Sequence, residues 1–340
     1  MLESTEINKA KAKSLVFIIF YFFFRVYKDM SKITVGIPTI IRKSLTKTLE
    51  ALMNQKEDDF DVLITYRGNL TREIEEYEKK LNIKFIRQES GFFEDALELI
   101  LKNAKGKILL TTDDDAIPNE NWIKDHVKFH DENKKAGIVS GEIEGRMWIN
   151  YPNELKKKFE GTTYMEEYNG TFKDYVAYLT KTGLSIDRDE RRYGLSLAIA
   201  GVNMSIKREV YTNCKVIKYS LRGSYNETLL ALQAIKMGYS SVKAKIGLVS
   251  HLDTNSLSRP KVYDFSLKIE KFTLPYAVNF IFPLDIQLLE EFKEKIGGEA
   301  RIGIDLAVKG IKESLKPEEF RRELGRTIEA LYSKRRHNRN

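Results

Sequence analysis

From residue 33 onward the chain alternates short apolar runs with amphipathic stretches. Ile33 to Ile37 reads as a buried strand closed by Pro38-Thr39, and Leu45, Leu49, Leu52 and Met53 then recur at helical spacing, predicting a helix with those four on its inner face. Phe60 to Tyr66 predicts a second strand. Ile74, Tyr77 and Leu81 mark the inner face of a polar helix, Ile83 to Ile86 a third strand, Ala96, Leu97, Ile100 and Leu101 a further helix, and Lys107 to Thr112 a fourth strand. Strand and helix alternating at this spacing imply right-handed crossovers and a mostly parallel sheet covered on both faces. The ends of such strands share one edge, where open α/β sheets bind ligands. Pro38-Thr39 and Arg67-Gly68-Asn69 should therefore open onto one crevice with the residues just past strand four.

Those residues are Asp113-Asp114-Asp115. Carboxylates crowded at a strand end resist simultaneous ionisation unless a cation compensates, and a hard divalent metal carrying phosphates meets that need. The alternative is a solvated turn.

Composition narrows the partners only a little. At 340 residues, 42% hydrophobic and 31% charged, the chain is ordinary globular protein, long enough for one large core or two domains. One cysteine, Cys214, excludes an intramolecular disulfide framework and a thiolate-rich zinc site. The formal charge of +8 suits an acidic partner: a nucleotide phosphate, an anionic lipid surface or nucleic acid. Residues 1–30 stand apart, with Leu15 to Phe24 (LVFIIFYFFF) flanked by Lys9, Lys11, Lys13, Arg25 and Lys28. That run falls short of the roughly 20 apolar residues a bilayer span needs. An interfacial anchor and a true start at Met30 are the two leading readings; a cleaved signal peptide ranks third, because no small-x-small cleavage site comes after it.

The order ITVGIPT, helix, FDVLITYRGN, helix, AKGKILLTTDDDAIPNENWI resembles the donor-binding half of family 2 glycosyltransferases with the GT-A fold. The resemblance covers about residues 32 to 145 and continues more weakly to about 252. It implies a Rossmann-like α/β domain over 31–252 (donor half 31–145, acceptor half 146–252); beyond it the resemblance stops, and 253–340 reads as a mainly helical extension with a basic tail. It also implies Mg²⁺ or Mn²⁺ held against the diphosphate of a nucleotide sugar, with Asp115 as metal ligand and Asp113 and Asp114 on the donor side. A metal at that point is chemically apt, since charge builds on the departing diphosphate.

Further residues take roles from the same likeness. Ala200-Gly201-Val202-Asn203 resembles the small-residue segment behind the donor sugar, which places Gly201 and Asn203 against the donor. Asn226-Glu227 falls where inverting members carry Glu-Asp, which makes Glu227 the candidate base; the competing reading is a capping box, Ser224-x-x-Glu227, opening a helix. His251 resembles the strand-end histidine that completes the metal shell in some members. Pro38 and Thr39 would line the donor site. At the end of strand two the chain departs from the family, which commonly has an acidic residue there: Tyr66 would stack on the nucleobase and Arg67 would meet phosphate, although Arg67-Gly68-Asn69 also reads as an exposed turn. His126 and His130, four apart, have a spacing that can hold zinc; with no Glu at 127 they read as a polar helix face. Glu94 and Asp95 read as helix-start charges.

In the second half, Trp148, Tyr151, Tyr164, Tyr168, Tyr175 and Tyr178 suit either sugar stacking or packing, the latter for most of them. Asp187 to Arg192 reads as a solvated charge run. The apolar stretch Tyr276 to Leu289 would be a packing arm or a shallow membrane contact. Phe320, Leu324, Ile328 and Leu331 form a helical stripe, and the arginines and lysines around and beyond it, Arg321 among them, read as a frayed solubilising tail. The expected activity is metal-dependent, inverting transfer from a nucleotide sugar to a glycan or a lipid-linked or protein-linked saccharide. The expected location is the cytoplasm or the cytoplasmic face of a membrane with peripheral contact, and nucleic acid is not expected as a partner. A non-catalytic scaffold on the same fold and a nucleotidyltransferase are the alternatives.

Overall fold

The computed structural model describes residues 33–145, 148–252 and 263–337; the segment Leu15–Phe24, Met30 and Arg339 lie outside them. An eight-stranded sheet forms the centre. Its strands are β1 (Ile33–Thr39), β2 (Phe60–Tyr66), β3 (Ile83–Arg87), β4 (Ile108–Thr111), β6 (Ala136–Ser140), β10 (Gly194–Leu195), β11 (Met204–Lys207) and β12 (Ser240–Lys243), in the order β10-β12-β6-β11-β4-β1-β2-β3. The first four strands are parallel neighbours, so their carboxyl ends share an edge. β11 lies antiparallel between β4 and β6, an insertion that strand-helix alternation does not foretell. Three short strands, β5 (Ala116–Pro118), β7 (Ile143–Gly145) and β13 (Val249–His251), make a second sheet, and β8 (Ala177–Leu179) pairs with β9 (Ser185–Asp187).

Both faces of the central sheet are buried, with side chains alternating between two cores as strand geometry requires. Val62, Ile64, Ile108 and Leu110 pack with Leu45, Leu49 and Leu52 of helix α1 (Leu45–Met53). Leu63, Leu109 and Ile138 face the opposite core with helix α2 (Phe93–Asn103) and helices from the second half. Met53, expected inside, is 43% exposed because it ends α1 as the chain turns away. The polar helix expected after β2 is one turn, Arg72–Glu75, followed by a 3-10 turn to Lys79. Its sequence carries too little apolar surface for more: Ile74 and Leu81 are buried and Tyr77 only partly.

Two helices flank the later strands, α3 (Trp122–Glu132) and α4 (Asn226–Lys236). The C-terminal region adds α5 (Phe265–Lys271), α6 (Leu274–Val278), α7 (Ile286–Lys295), α8 (Gly298–Lys312) and α9 (Pro317–His337). These helices join the larger core rather than form a separate one. Phe320 of α9 stacks on Tyr276 of α6 with centroids 3.7 Å apart, and Gly303 lets α8 approach α5, since a Cβ there would meet the Ile269 carbonyl and Phe272. Phe320, Leu324 and Ile328 are thus core positions, and Tyr276 to Leu289 is a packing arm whose exposed large apolar side chain is Phe280. Among the described residues no helix is long and apolar enough to cross a membrane.

Candidate active site

The carboxyl ends of β1, β2 and β4 border a cleft of about 660 Å³, closed on its other sides by the second half and by α5. β4 ends at Thr111, and the chain turns through the three aspartates into β5. Thr48 of α1 fastens that turn by donating to the Ala116 carbonyl at 2.8 Å. β13 pairs with β5 so that His251 sits opposite Ala116, and the Leu252 N–H donates to the Asp115 carbonyl at 2.9 Å. This pairing carries His251 to the triplet across a separation of 136 residues from Asp115.

His251 Nε2 lies 3.1 Å from Asp115 Oδ1 and 3.6 Å from Asp113 Oδ2. One ligand atom from each of the three residues lies within 4.8 Å of the others. Two carboxylate oxygens and an imidazole nitrogen suit Mn²⁺ or Mg²⁺, whose shells are normally completed by phosphate or water. Asp113 is the accessible member, its side chain 34% exposed against 2% for Asp115.

Asp114, expected from the sequence on the donor side, borders the cleft but has its carboxylate turned to Thr39 and Arg42. It accepts from Thr39 Oγ1 at 2.6 Å and from Arg42 Nη1 at 3.3 Å, and burial pushes its pKa up, against the pull of those donors. It ties the end of β1 to the end of β4, and Thr39 serves the same link. Arg42 also lies 3.5 Å from Asp115, a neutralising contact whose one sequence signal is a basic residue just past a strand end.

Glu227 stands on the first turn of α4, in the wall of the same cleft. The capping box does not form: the residue before the helix is Tyr225, at φ 62°, and no side chain caps the end. Burial pushes the Glu227 carboxyl up to about 7; its own backbone N–H lowers it, Asp113 raises it and Lys271 lowers it. Gly201 lines the cleft directly behind, where a Cβ would collide with Glu227 Oε1. A larger residue there would have to displace the Glu227 carboxyl.

Residues 34–199 match the family model described as Glycosyl transferase family 2. Over that segment, just under half of its length, the chain is similar to that family. The S. aureus TarS 1–349 structure in complex with UDP-GlcNAc is 17% identical with a TM-score of 0.51, over 89% of this chain and 92% of that one. GalNAc-T7 with UDP, GalNAc and Mn²⁺ is 13% identical with a TM-score of 0.50, over 84% and 57% respectively. The chain spans 42% of the longer TarS structure. At these identities the likeness establishes the GT-A fold. A search of curated protein sequences finds no match.

Pro38, Thr39, Arg67 and Gly201 line the cleft with the aspartates, Glu227 and His251. Arg67 donates to the Gly91 carbonyl at 3.1 Å. Tyr66 is not among the lining residues; it packs edge-on against Phe85, with centroids 6.2 Å apart. Asn203 is also elsewhere, fully buried and fully used: Oδ1 accepts from Trp122 Nε1 and pairs with His126 Nε2, both at 2.8 Å, while Nδ2 donates to the Glu142 and Gly247 carbonyls, both at 2.7 Å. It is a structural residue that joins α3, β11 and the loops before β7 and β13.

The same network overturns the polar-face reading of α3. His126 and His130 are buried and both bond Ser205 Oγ, at 2.7 and 2.8 Å, and burial pushes them down to about 4 and about 3, so both are neutral near pH 7. Trp122, Ile123, His126 and His130 form the inward face. The His spacing is visible in the sequence, but its burial depends on Ser205 and Asn203, 75 and 77 residues away.

The loop before Glu227 is built by residues whose local sequence suits them to other tasks. Glu94, expected as a helix-start charge, is fully buried: it accepts from Ser220 Oγ at 2.7 Å and N at 3.0 Å and makes an ion pair with Arg321 of α9. Burial outweighs those partners and pushes it up to about 7. Asp95 does act at the helix start, accepting from the Phe92 N–H at 2.7 Å. Asp187 is not solvated; it accepts from Asn150 and Asn153, both at 2.7 Å, and Arg188 lies over the Tyr178 ring at 4.1 Å. Tyr151, Tyr175 and Tyr178 are buried packing residues, whereas Trp148 lines the cleft beside Asn150, Ser185 and Asp187.

Proposed function

We propose that this chain is a family 2 glycosyltransferase that transfers a sugar from a nucleoside-diphosphate sugar to an acceptor hydroxyl with inversion, using a divalent cation. The observation that carries the reading is one cleft holding both an Asp113–Asp115–His251 cluster and a carboxyl, Glu227, poised near neutrality. Asp115 and His251 are the proposed metal ligands, with Asp113 near enough to join them or to meet the donor. A bound cation would offset the charge that develops on the diphosphate leaving group. Glu227 takes the proton of the acceptor hydroxyl as the acceptor oxygen bonds to the anomeric carbon and the bond from that carbon to the diphosphate oxygen breaks. The nucleotide sugar in the TarS complex and the Mn²⁺ in that of GalNAc-T7 support the choice of ligands.

The acceptor is a saccharide, free or linked to lipid or protein. The wall of Trp148, Asn150, Ser185 and Asp187 supports this, combining an aromatic face with polar groups held by one another. We read 31–252 as the catalytic domain and 253–340 as an extension that completes its cleft.

A thermal-shift series of UDP- and GDP-sugars with and without Mn²⁺, on the wild type and on Asp115→Ala, tests the donor site. A ligand at a hundredfold excess over its dissociation constant stabilises the native state by about 2.7 kcal/mol. At least one nucleotide sugar should stabilise the wild type in a Mn²⁺-dependent way, and that dependence should vanish in Asp115→Ala. A wild type indifferent to every donor, or a variant that responds equally, sinks the reading.

A further inference from the structure

Four cationic side chains of arginine or lysine line the cleft among the described residues: Arg42, Arg67, Arg222 and Lys271. Three are engaged. Arg42 meets Asp114 and Asp115, Arg67 donates to a carbonyl, and Arg222 donates to Asp264 Oδ2 and Ser266 Oγ, both at 2.7 Å. Lys271 differs. It is 5% exposed, its Nζ stands 4.3 Å from the centre of the Tyr225 ring, and among the described residues the ammonium makes no hydrogen bond and no ion pair.

Its neighbour Glu270 serves the fold, accepting the N–H groups of Leu221 and Arg222 at 3.3 and 3.2 Å, while Lys271 faces the cavity. The carboxylates that act on Lys271 are Glu270 and Glu227, and burial holds its pKa below the ordinary lysine value. An ammonium taken out of water with no counter-ion is costly, and a cation–π contact recovers only part of that cost. Here it faces a cavity that a charged ligand can enter.

We infer that Lys271, supplied by α5 from outside the family-matched segment, is an anion-binding residue that takes a phosphate or carboxylate oxygen of a substrate beside Glu227. Calling the oxygen a substrate's rests on the transfer reaction proposed above. It has two sources, the donor diphosphate or a charged group on the acceptor, and the placement next to the proposed base serves either. A negative group bound there without Lys271 would repel the Glu227 carboxylate; with Lys271 both can be ionised together.

The test is an NMR titration of the full chain carrying lysine labelled with ¹³C at Cε. The Lys271 signal is assigned by its loss in Lys271→Met or, should that variant not fold, in Lys271→Arg. UDP and GDP with Mg²⁺ are added first, then inorganic phosphate to the nucleotide-treated protein. The Lys271 signal should move saturably with at least one of them, and Lys271→Met should weaken that ligand about tenfold or more while Lys271→Arg retains most of the affinity.

A response to nucleotide assigns the donor diphosphate; a response to phosphate after nucleotide assigns an acceptor group. A signal that stays still throughout, or an affinity unchanged in Lys271→Met, overturns the inference. Nucleotide binding is followed in parallel by thermal shift, which separates the two claims. Nucleotides that stabilise the protein while Lys271 stays silent to both probes leave the transferase reading standing and remove this one. Phosphate that moves Lys271 in a protein blind to nucleotides does the reverse.

Discussion

A general base works best when its pKa lies near the working pH, because it must be ionised yet still basic enough to take a proton. Burial brings Glu227 to about 7, and Asp113 adds to the rise. For this proposed base the sign is direct: the active form is the carboxylate, so transfer should fall about tenfold for each unit of pH below the folded pKa. A bound cation favours the carboxylate and moves that limb to lower pH. Glu227→Gln keeps the shape and removes the proton acceptor. It should lower transfer by about 10² to 10⁴-fold while nucleotide binding, measured by thermal shift, stays within a factor of about three; a variant that retains wild-type turnover rules out the role. The aspartate triplet makes a different point at this scale. Its existence at a strand end is plain in the sequence, but which carboxylate is tied to the fold is not, because the turn after Thr111 decides it. Asp114 points at Thr39 and Arg42, and only their positions on β1 and just beyond it make that so.

Among elements, the periodic ones are legible in the sequence and the ones defined by distant partners are not. β1 to β4, α1 and α2 appear within a few residues of where apolar spacing puts them, because a buried strand or amphipathic helix writes its burial into its own residues. The loop at residues 219–225 has no such signature. Glu94 of α2 holds it from one side through Ser220, Glu270 of α5 holds it from another through Leu221 and Arg222, and Tyr225 is left in a left-handed conformation that costs a non-glycine residue of order 1–3 kcal/mol. Arg321 secures Glu94 from α9, so a residue that looks in sequence like part of a basic tail reaches the catalytic side of the molecule. Arg321→Ala should therefore destabilise the fold by about 3–5 kcal/mol near pH 8, where it strands a buried carboxylate. At about pH 5 the loss should shrink, because Glu94, pushed up to about 7, is then protonated and needs no counter-charge. Urea unfolding at the two pH values measures this; a loss that does not depend on pH would mean that the pair matters through packing alone.

Taken as one molecule, the protein places titrating groups of opposite tendency in one interior, and their effects on stability oppose each other. His126 and His130 have folded pKa values far below the ordinary 6.5, so the unfolded chain binds more protons and stability falls as pH drops from about 6.5 toward about 4. Glu94 and Glu227 have folded values raised from 4.5 to about 7, so the folded chain holds protons that the unfolded chain has lost, and stability falls as pH rises across that interval. A melting curve of the wild type alone mixes these terms with every other carboxylate and lysine. The difference between the wild type and Glu227→Gln isolates one of them, since the other groups are present in both. That difference should be flat below about pH 4.5, grow in favour of the variant up to about pH 7, and be flat again above it. Adding Mn²⁺ with a donor nucleotide should narrow the gap, because a bound cation stabilises the ionised carboxylate that the variant lacks. Such a result would identify Glu227 as a residue held at the expense of fold stability for the sake of chemistry, a common pattern at catalytic positions. A difference that does not change between about pH 4.5 and about pH 7 would mean that the carboxyl titrates as an ordinary glutamate, and the assignment of the base would fall with it.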